Sequence, residues 1–262
     1  MTLADRDVDV LCDIAREAGN AILALYGTDC ATATKHDASP LTQADTDADA
    51  IIGARLRDAF PGVPIVSEES NTAALAGADV FFLVDPLDGT KEFLSRTDEF
   101  TVNIALVAHG RPSAGVVFAP ALGELFAAGS HGAAQKRTGD GRMDLRVSPF
   151  DRARPLRVIG SRSHASPAMQ EWLNTLDVPY TFVAAGSSLK FCRVAEGLAD
   201  VYPRFGLTSQ WDTAAAHAIL ERAGGSVVDP SGAPLSYGCD RPMLNPFFTA
   251  IGDPCISSLI RK

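Results

Sequence analysis

Val84-Asp85-Pro86-Leu87-Asp88-Gly89-Thr90-Lys91 is the stretch that decides how this chain is read. It follows the apolar run Val80-Phe81-Phe82-Leu83-Val84, which predicts a short buried strand. Proline cannot donate to a sheet ladder, so the strand is expected to stop at Asp85-Pro86. Asp85 and Asp88 then sit together in a turn, with Gly89 supplying backbone freedom and Thr90 a hydroxyl. Hard cations take clusters of oxygen ligands, and a strand end feeding a tight turn can hold such ligands rigidly. The pattern points to metal-assisted chemistry on a phosphate, not to a nucleophilic Ser or Cys.

Upstream, Val8, Leu11, Ala15, Ala18, Ile22 and Leu25 recur at helical spacing, with Gly27 as a stop. A loop through Lys35 and Pro40 leads to a second helix over Asp45 to Phe60, then a short strand over Val63 to Val66 running into Ser67-Glu68-Glu69. Downstream, a helical turn near Lys91 to Ser95 precedes a strand in which Val102, Ile104 and Leu106 alternate with Thr101, Asn103 and Ala105. Gly115 to Ala119 and Glu124 to Ala128 continue as strands of a meander. The first half therefore reads as α+β with an antiparallel sheet. From Arg157 onward strands and helices alternate: Arg157 to Ile159, Pro167 to Leu176, Tyr180 to Val183, Ser188 to Glu196, Asp200 to Tyr202, Asp212 to Ala223 and Ser226 to Val228. That rhythm predicts an α/β unit. The polar, proline-bearing stretch Ser148 to Pro155 is the expected boundary, giving an N-terminal α+β domain over 1–152 and a C-terminal α/β domain over 153–262.

Composition narrows the classes. With 262 residues the chain can bury a sizeable core, and 46% hydrophobic residues is ordinary for a soluble globular protein. A net charge of −9 argues against a nucleic-acid partner, while an anionic small substrate stays open because bound cations can reverse a local field. The first apolar helix carries Asp5, Asp7, Asp9 and Asp13, the opposite of a signal peptide's basic start, and no run approaches a membrane span. Cys12, Cys30, Cys192, Cys239 and Cys255 are odd in number, widely spaced and without a CxxC pair. They read as reduced thiols of a cytoplasmic protein.

Glu68 and Asp85 each end an apolar strand, and if the strands are neighbours both carboxylates emerge at one sheet edge. Asp45, in Thr42-Gln43-Ala44-Asp45, fits a capping-box pattern, and Asp212, in Ser209-Gln210-Trp211-Asp212, fits a helix start. Capping alone would account for both. Should Asp45, Glu68, Asp85, Asp88 and Asp212 converge, each pair ~5 Å apart would repel by about 3 kcal/mol at an effective dielectric of 20, and the cluster would recruit divalent cations. Oxygen-only ligands favour Mg²⁺ over zinc or copper. Lys35, Lys91, Lys190 and Arg204 are candidate phosphate contacts. Gly186-Ser187-Ser188-Leu189-Lys190 sets hydroxyls and backbone N–H groups at a helix start, which suits either an anion or a simple serine cap. His164 follows a strand, and His217 lies mid-helix as a packing residue.

Taken in order, Ser67-Glu68-Glu69, Asp85-Pro86-Leu87-Asp88-Gly89-Thr90 and Trp211-Asp212 with a small-residue helix ending Ala223-Gly224-Gly225 resemble the lithium-sensitive, Mg²⁺-dependent phosphomonoesterases of the inositol monophosphatase superfamily. The resemblance covers nearly the whole chain and implies a layered α-β-α-β-α sugar-phosphatase fold. Gly89-Thr90-Lys91-Glu92-Phe93, Gly186 to Cys192 and Tyr202-Pro203-Arg204-Phe205-Gly206 look most like the CysQ-type 3'(2'),5'-bisphosphate nucleotidases within it. The resemblance implies hydrolysis of 3'-phosphoadenosine 5'-phosphate to AMP and phosphate, a recycling step beside sulfur assimilation. An inositol or sugar monophosphatase on the same scaffold is the alternative. It implies two or three Mg²⁺ ions held by Glu68, Asp85, Asp88, Asp212 and the Leu87 carbonyl. Asp45 and Thr90 would polarise the attacking water, with Glu68 helping to place it. Gly89 and Thr90 would grip the scissile phosphate, and His164, Ser187, Lys190 and Arg204 would contact the nucleotide. Lys35 would neighbour the phosphate or metal site. Peripheral contact with the cytoplasmic face of an inner membrane is part of the family's usual description.

Overall fold

The structure is a computed structural model and describes residues 3–28, 32–34, 40–70, 77–161 and 167–260. Helix α1 (Asp5–Leu25) buries Val8, Leu11, Ala15, Ala18 and Ile22 along one stripe and carries Asp5 and Asp7 in its first turn, where the helix dipole favours acids. Strands β1 (Thr32–Thr34) and β2 (Pro40–Thr42) pair antiparallel and lead into α2 (Gln43–Ala59). There follow β3 (Ile65–Ser67), β4 (Val80–Asp88), α3 (Thr90–Leu94), β5 (Thr101–Ala108), β6 (Arg111–Ala119), β7 (Glu124–Ala128), β8 (Gln135–Thr138) and β9 (Gly141–Asp144). The rest of the chain forms β10 (Leu156–Ser161), α4 (Pro167–Asn174), β11 (Tyr180–Ala185), α5 (Leu189–Ala195), β12 (Val201–Arg204), α6 (Ala214–Arg222), β13 (Ser226–Val228), β14 (Phe248–Ile251) and α7 (Ser257–Ile260).

Seven strands form one sheet in the order β3-β4-β5-β6-β7-β8-β9, and five form a second in the order β11-β10-β12-β14-β13. Strand alternation divides the apolar side chains of the first sheet between two cores. Phe82, Val84, Ile104, Leu106, Val116 and Phe118 face α1 and α2. Phe81, Leu83, Ala105, Val107, Val117 and Ala119 face the other way, into a core shared with α5, α6 and the second sheet through Tyr202, Phe248 and Ala250. The far side of the second sheet packs Val158, Val201 and Ile251 on Met169 and Leu173 of α4. The layers run α-β-α-β-α, as the family resemblance implies.

Two sequence expectations need correction. The first sheet is mixed, because β3 pairs with β4 in parallel and only the remaining pairs are antiparallel. Strand β4 also runs through Pro86 to Asp88. Asp85 faces Asn103 and Asp88 faces Thr101, so β4 takes one more step than β5 over this span. A bulge leaves a residue unpaired, and the proline lies within that irregular step, where no ladder bond is asked of it.

The close fit of α6 on the first sheet fixes the start of that helix. Gly115 of β6 lies so near the Ala215 carbonyl that a side-chain carbon there would overlap it. Alanines at 214, 215 and 216 are fully buried against the sheet. The turn that carries Asp212 is thereby held over the end of β4.

Candidate active site

One carboxylate oxygen from each of Glu68, Asp85 and Asp212 lies within 4.8 Å of the other two. The topology brings them together. The parallel pairing sets Ser67 opposite Val84, so Glu68 and Asp85 leave neighbouring strands at the same edge, and the Glu68 N–H donates to the Val84 carbonyl at 3.1 Å. Asp212 arrives from the other half of the chain at the head of α6. At 4.8 Å a pair of carboxylates repels by about 3 kcal/mol at an effective dielectric of 20, so the cluster is costly without a cation. All-oxygen donors without His or Cys suit a hard divalent cation.

Asp85 and Asp212 are held from behind. Asp85 is 1% exposed, and its Oδ1 accepts from the Leu87 N–H at 3.1 Å. Asp212 Oδ2 accepts from the Ser209 N–H at 2.8 Å. The Ser209–Asp212 turn is clamped from outside. Asn245 donates to the Ser209 carbonyl at 2.6 Å, and Gln210 donates to the carbonyls of Gly238 and Pro242 at 3.1 and 3.0 Å. Burial raises the Asp212 carboxyl well above the ordinary carboxylate range, and the like charges of Asp88 and Glu68 add to the effect.

Asp45 serves two partners with two oxygens. Oδ2 accepts from the Thr42 N–H at 2.7 Å and the Thr42 hydroxyl at 2.6 Å, completing the capping box of α2. Oδ1 faces the Thr90 hydroxyl at 3.3 Å. Thr90 Oγ1 is also 3.3 Å from the Leu87 carbonyl oxygen. Gly89 has φ +91°, the left-handed region that only glycine enters without strain, and it aims Thr90 back toward Asp45.

Glu68, Asp85, Leu87, Asp88, Thr90 and Asp212 line a cleft of about 470 Å³. It shares Asp88, Gly89, Glu92, Thr208 and Asp212 with an adjoining lobe of about 130 Å³, whose walls include Ser187, Lys190, Tyr202 and Arg204. Lys190 is 6% exposed. Its ammonium donates to the Ser187 carbonyl at 2.6 Å and the Ala185 carbonyl at 3.4 Å, and lies 5.5 Å from the centre of the Tyr202 ring. Burial lowers this ammonium to about 8; Asp88 opposes that shift, and Arg204 assists it. Arg204 donates to the Leu207 carbonyl at 3.0 Å, and its buried Nε lacks a hydrogen-bond partner among the described residues.

At the start of α5, where the sequence suits either an anion or a serine cap, Ser188 makes no side-chain cap and its N–H donates to Asp88 Oδ2 at 2.6 Å. Lys35 and His164 lie outside the described residues, as does Cys30. His217 is fully buried and its Nδ1 is 2.9 Å from the Tyr237 hydroxyl, as its mid-helix position suggests. Sequence reasoning gave no role to Asn103, Glu92, Tyr202 or Thr208, although Glu92 and Tyr202 lie in the segments quoted for the nucleotidase resemblance and Asn103 is an amide in a largely apolar central strand. A separate cavity of about 440 Å³ beside α4 and β14 is walled by Trp172, Phe205 and Phe247 and contains none of the five acids.

The inositol monophosphatase family matches residues 4–254. The 3'(2'),5'-bisphosphate nucleotidase CysQ of Escherichia coli (strain K12) is 46% identical over 249 residues, covering 92% of this chain and 98% of that protein. The protein of the same name from Haemophilus influenzae is 33% identical, covering 97% of this chain and 95% of its own. Among solved structures, CysQ from Bacteroides thetaiotaomicron superposes with a TM-score of 0.82 at 36% identity, covering 94% of this chain and 97% of that one. A full-length match in sequence agrees with the layered fold and with acids gathered from both halves of the chain: it belongs to the inositol monophosphatase family.

Proposed function

We propose that the chain is a Mg²⁺-dependent 3'(2'),5'-bisphosphate nucleotidase that hydrolyses 3'-phosphoadenosine 5'-phosphate to AMP and phosphate. The observation that carries this reading is the joining of the acid cleft to a lobe containing Lys190 and Arg204. A bisphosphate brings a second phosphate that needs cations of its own, and a monophosphate does not. The identity to CysQ proteins supports the same choice.

Glu68, Asp85, Asp88, Asp212 and the Leu87 carbonyl would hold the Mg²⁺ ions. Bound there, the ions would supply positive charge to offset the phosphate oxygens and to make water easier to deprotonate. The chain's own part in activating water falls to Thr90 and Asp45. With its proton engaged by Asp45 Oδ1, Thr90 Oγ1 can accept a hydrogen bond from the attacking water. The Thr42 contacts keep Asp45 from turning away. Gly89 lets the backbone come close to the scissile phosphate, and Ser187, Lys190 and Arg204 face the remainder of the nucleotide, with His164 as a further contact. In the overall reaction the water oxygen bonds to phosphorus as the bond to the 3' oxygen breaks, and the departing 3' alkoxide takes up the proton that the water gives off, leaving a 3' hydroxyl and inorganic phosphate. We also infer a division near residue 152, the first unit supplying Asp45 to Thr90 and the second Ser187 to Asp212. We place the activity in the cytoplasm, where the buried thiols of Cys12 and Cys192 stay reduced. Among the described residues no helix is long and apolar enough to cross a membrane.

The test is parallel hydrolysis of 3'-phosphoadenosine 5'-phosphate and inositol 1-phosphate at saturating Mg²⁺. The nucleotidase reading expects the bisphosphate to be preferred by at least about 10-fold in kcat/KM, as for one charge-assisted contact. Preference for the inositol ester would transfer the activity to the monophosphatase class.

A further inference from the structure

We propose that Ser188 and Asn103 are positioning residues for the metal centre, turning the Asp88 carboxylate so that one oxygen is fixed by the protein and the other is left for the cation. This rests on the reading of Asp88 as a Mg²⁺ ligand and adds two residues which that reading does not contain.

Four donors converge on Asp88 Oδ2. The Ser188 N–H lies at 2.6 Å, the Ser188 hydroxyl at 2.7 Å, the Asn103 amide nitrogen at 3.3 Å and the Thr101 hydroxyl at 3.4 Å. Among the described residues no donor is recorded for Oδ1, so the two oxygens of one carboxylate have opposite surroundings. Asn103 also donates to the Ser188 hydroxyl oxygen at 2.8 Å. That occupies a lone pair of Ser188 and directs its single proton outward. Two acceptors are then in reach, Asp88 Oδ2 and the Asp212 carbonyl at 2.8 Å, and the charged one is the stronger.

The amide of Asn103 can face only one way. Rotating it would set Oδ1 against the Asp88 carboxylate. In the observed orientation Oδ1 is buried and has no partner among the described residues. A side chain present only to satisfy the core would not leave an acceptor orphaned. The orphan accompanies the only orientation that serves Asp88.

The chain of bonds also spans the molecule. Asn103 belongs to β5 and Asp88 to the end of β4, whereas Ser188 precedes α5 and Asp212 precedes α6. Through its N–H and its hydroxyl proton Ser188 therefore fixes Asp88, which comes from the first half of the chain, against the second half. Groups that orient a metal ligand from behind typically change metal affinity 10- to 100-fold when removed.

The experiment measures Mg²⁺ binding to the substrate-free protein by titration calorimetry, together with the melting temperature in chelator, for the parent, Ser188→Ala and Asn103→Ala. We expect the Mg²⁺ dissociation constant to rise about 10- to 100-fold in both variants. Asn103→Ala gives up two hydrogen bonds along with an orphaned acceptor, so its melting temperature in chelator should fall by only a few degrees, and the loss of Mg²⁺ affinity should persist well below the melt. That variant decides the matter even if Ser188→Ala folds poorly. Parent-like Mg²⁺ affinity in Asn103→Ala overturns the proposal. So does a loss of affinity that merely follows a fall in melting temperature. A parent that binds no Mg²⁺ overturns the metal reading itself, a result distinct from binding that the variants leave untouched.

Discussion

Asp45 shows how one residue can satisfy two readings of its sequence context. Thr42-Gln43-Ala44-Asp45 is a capping box, and the structure uses Oδ2 for that purpose. The opposite oxygen faces Thr90. Capping and catalysis compete in the sequence but not in space, and no local pattern could have separated them. Asp45→Asn and Thr90→Ala should each lower kcat by roughly 10²- to 10⁴-fold with KM little changed, as steady-state kinetics would reveal. Asp212 carries a pH signature. Its folded carboxyl titrates above the ordinary 3.8, so the stability it contributes is full below that value and is lost as pH rises through the raised one. The metal-free protein should thus grow less stable from mildly acidic toward alkaline pH. Mg²⁺ must displace the proton to bind, so the melting-temperature gain from Mg²⁺ should be larger at about pH 8 than at about pH 6. Thermal melts with Mg²⁺ and with chelator at the two pH values check the sign.

Among the elements, most of the fold could be read from hydrophobic patterning, because helices show a periodic apolar stripe and strands buried on both faces show as nearly continuous apolar runs. Strands β4, β5 and β6 are of that kind. Strands β8 and β9 escaped. They are polar, β9 is exposed at every position, and their alternation carries no hydrophobic signal. Strand β14 is four residues long and follows a turn-rich stretch. The passage of β4 through Pro86 was hidden because a bulge is a relation between two strands, invisible in one. The acids were legible as candidates, but their convergence depends on the β3-β4 pairing and on the seat of α6. Gly115→Val should break that seat. Its side chain would overlap the Ala215 carbonyl, costing about 1–3 kcal/mol or more by overpacking, and activity should fall with it because Asp212 heads the same helix. Denaturant unfolding and phosphate release together measure both effects. The start of β12 has a different anchor. Asp200 is buried and bonded to Arg154 and Arg157 at 2.7 Å each. Burial alone would raise its carboxyl, yet the two guanidiniums bring it from 3.8 down to about 2. Its stabilisation is present above 3.8 and lost as pH falls toward 2. Asp200→Asn should cost about 3 kcal/mol at neutral pH, since it leaves two partly buried cations underpaired, and this cost should shrink in acid.

At the level of the whole molecule, the proposed active site is a joint. The first sheet supplies Glu68, Asp85 and Asp88, the helix behind it supplies Asp45, and the second half of the chain supplies Asp212, Ser188, Lys190 and Arg204. A core shared by both sheets holds the two sets in register, and an ionic cluster of Lys136 and Arg193 with Glu124 and Glu196, each contact at 2.6 Å, ties β7 and β8 to α5. No single segment carries the chemistry. Phosphate release from 3'-phosphoadenosine 5'-phosphate, followed while Mg²⁺ is titrated into chelator-treated protein, tests the account most directly. The account predicts no release in chelator and a saturable return of activity with Mg²⁺. Release that chelation leaves unchanged, or none at saturating Mg²⁺, would contradict it.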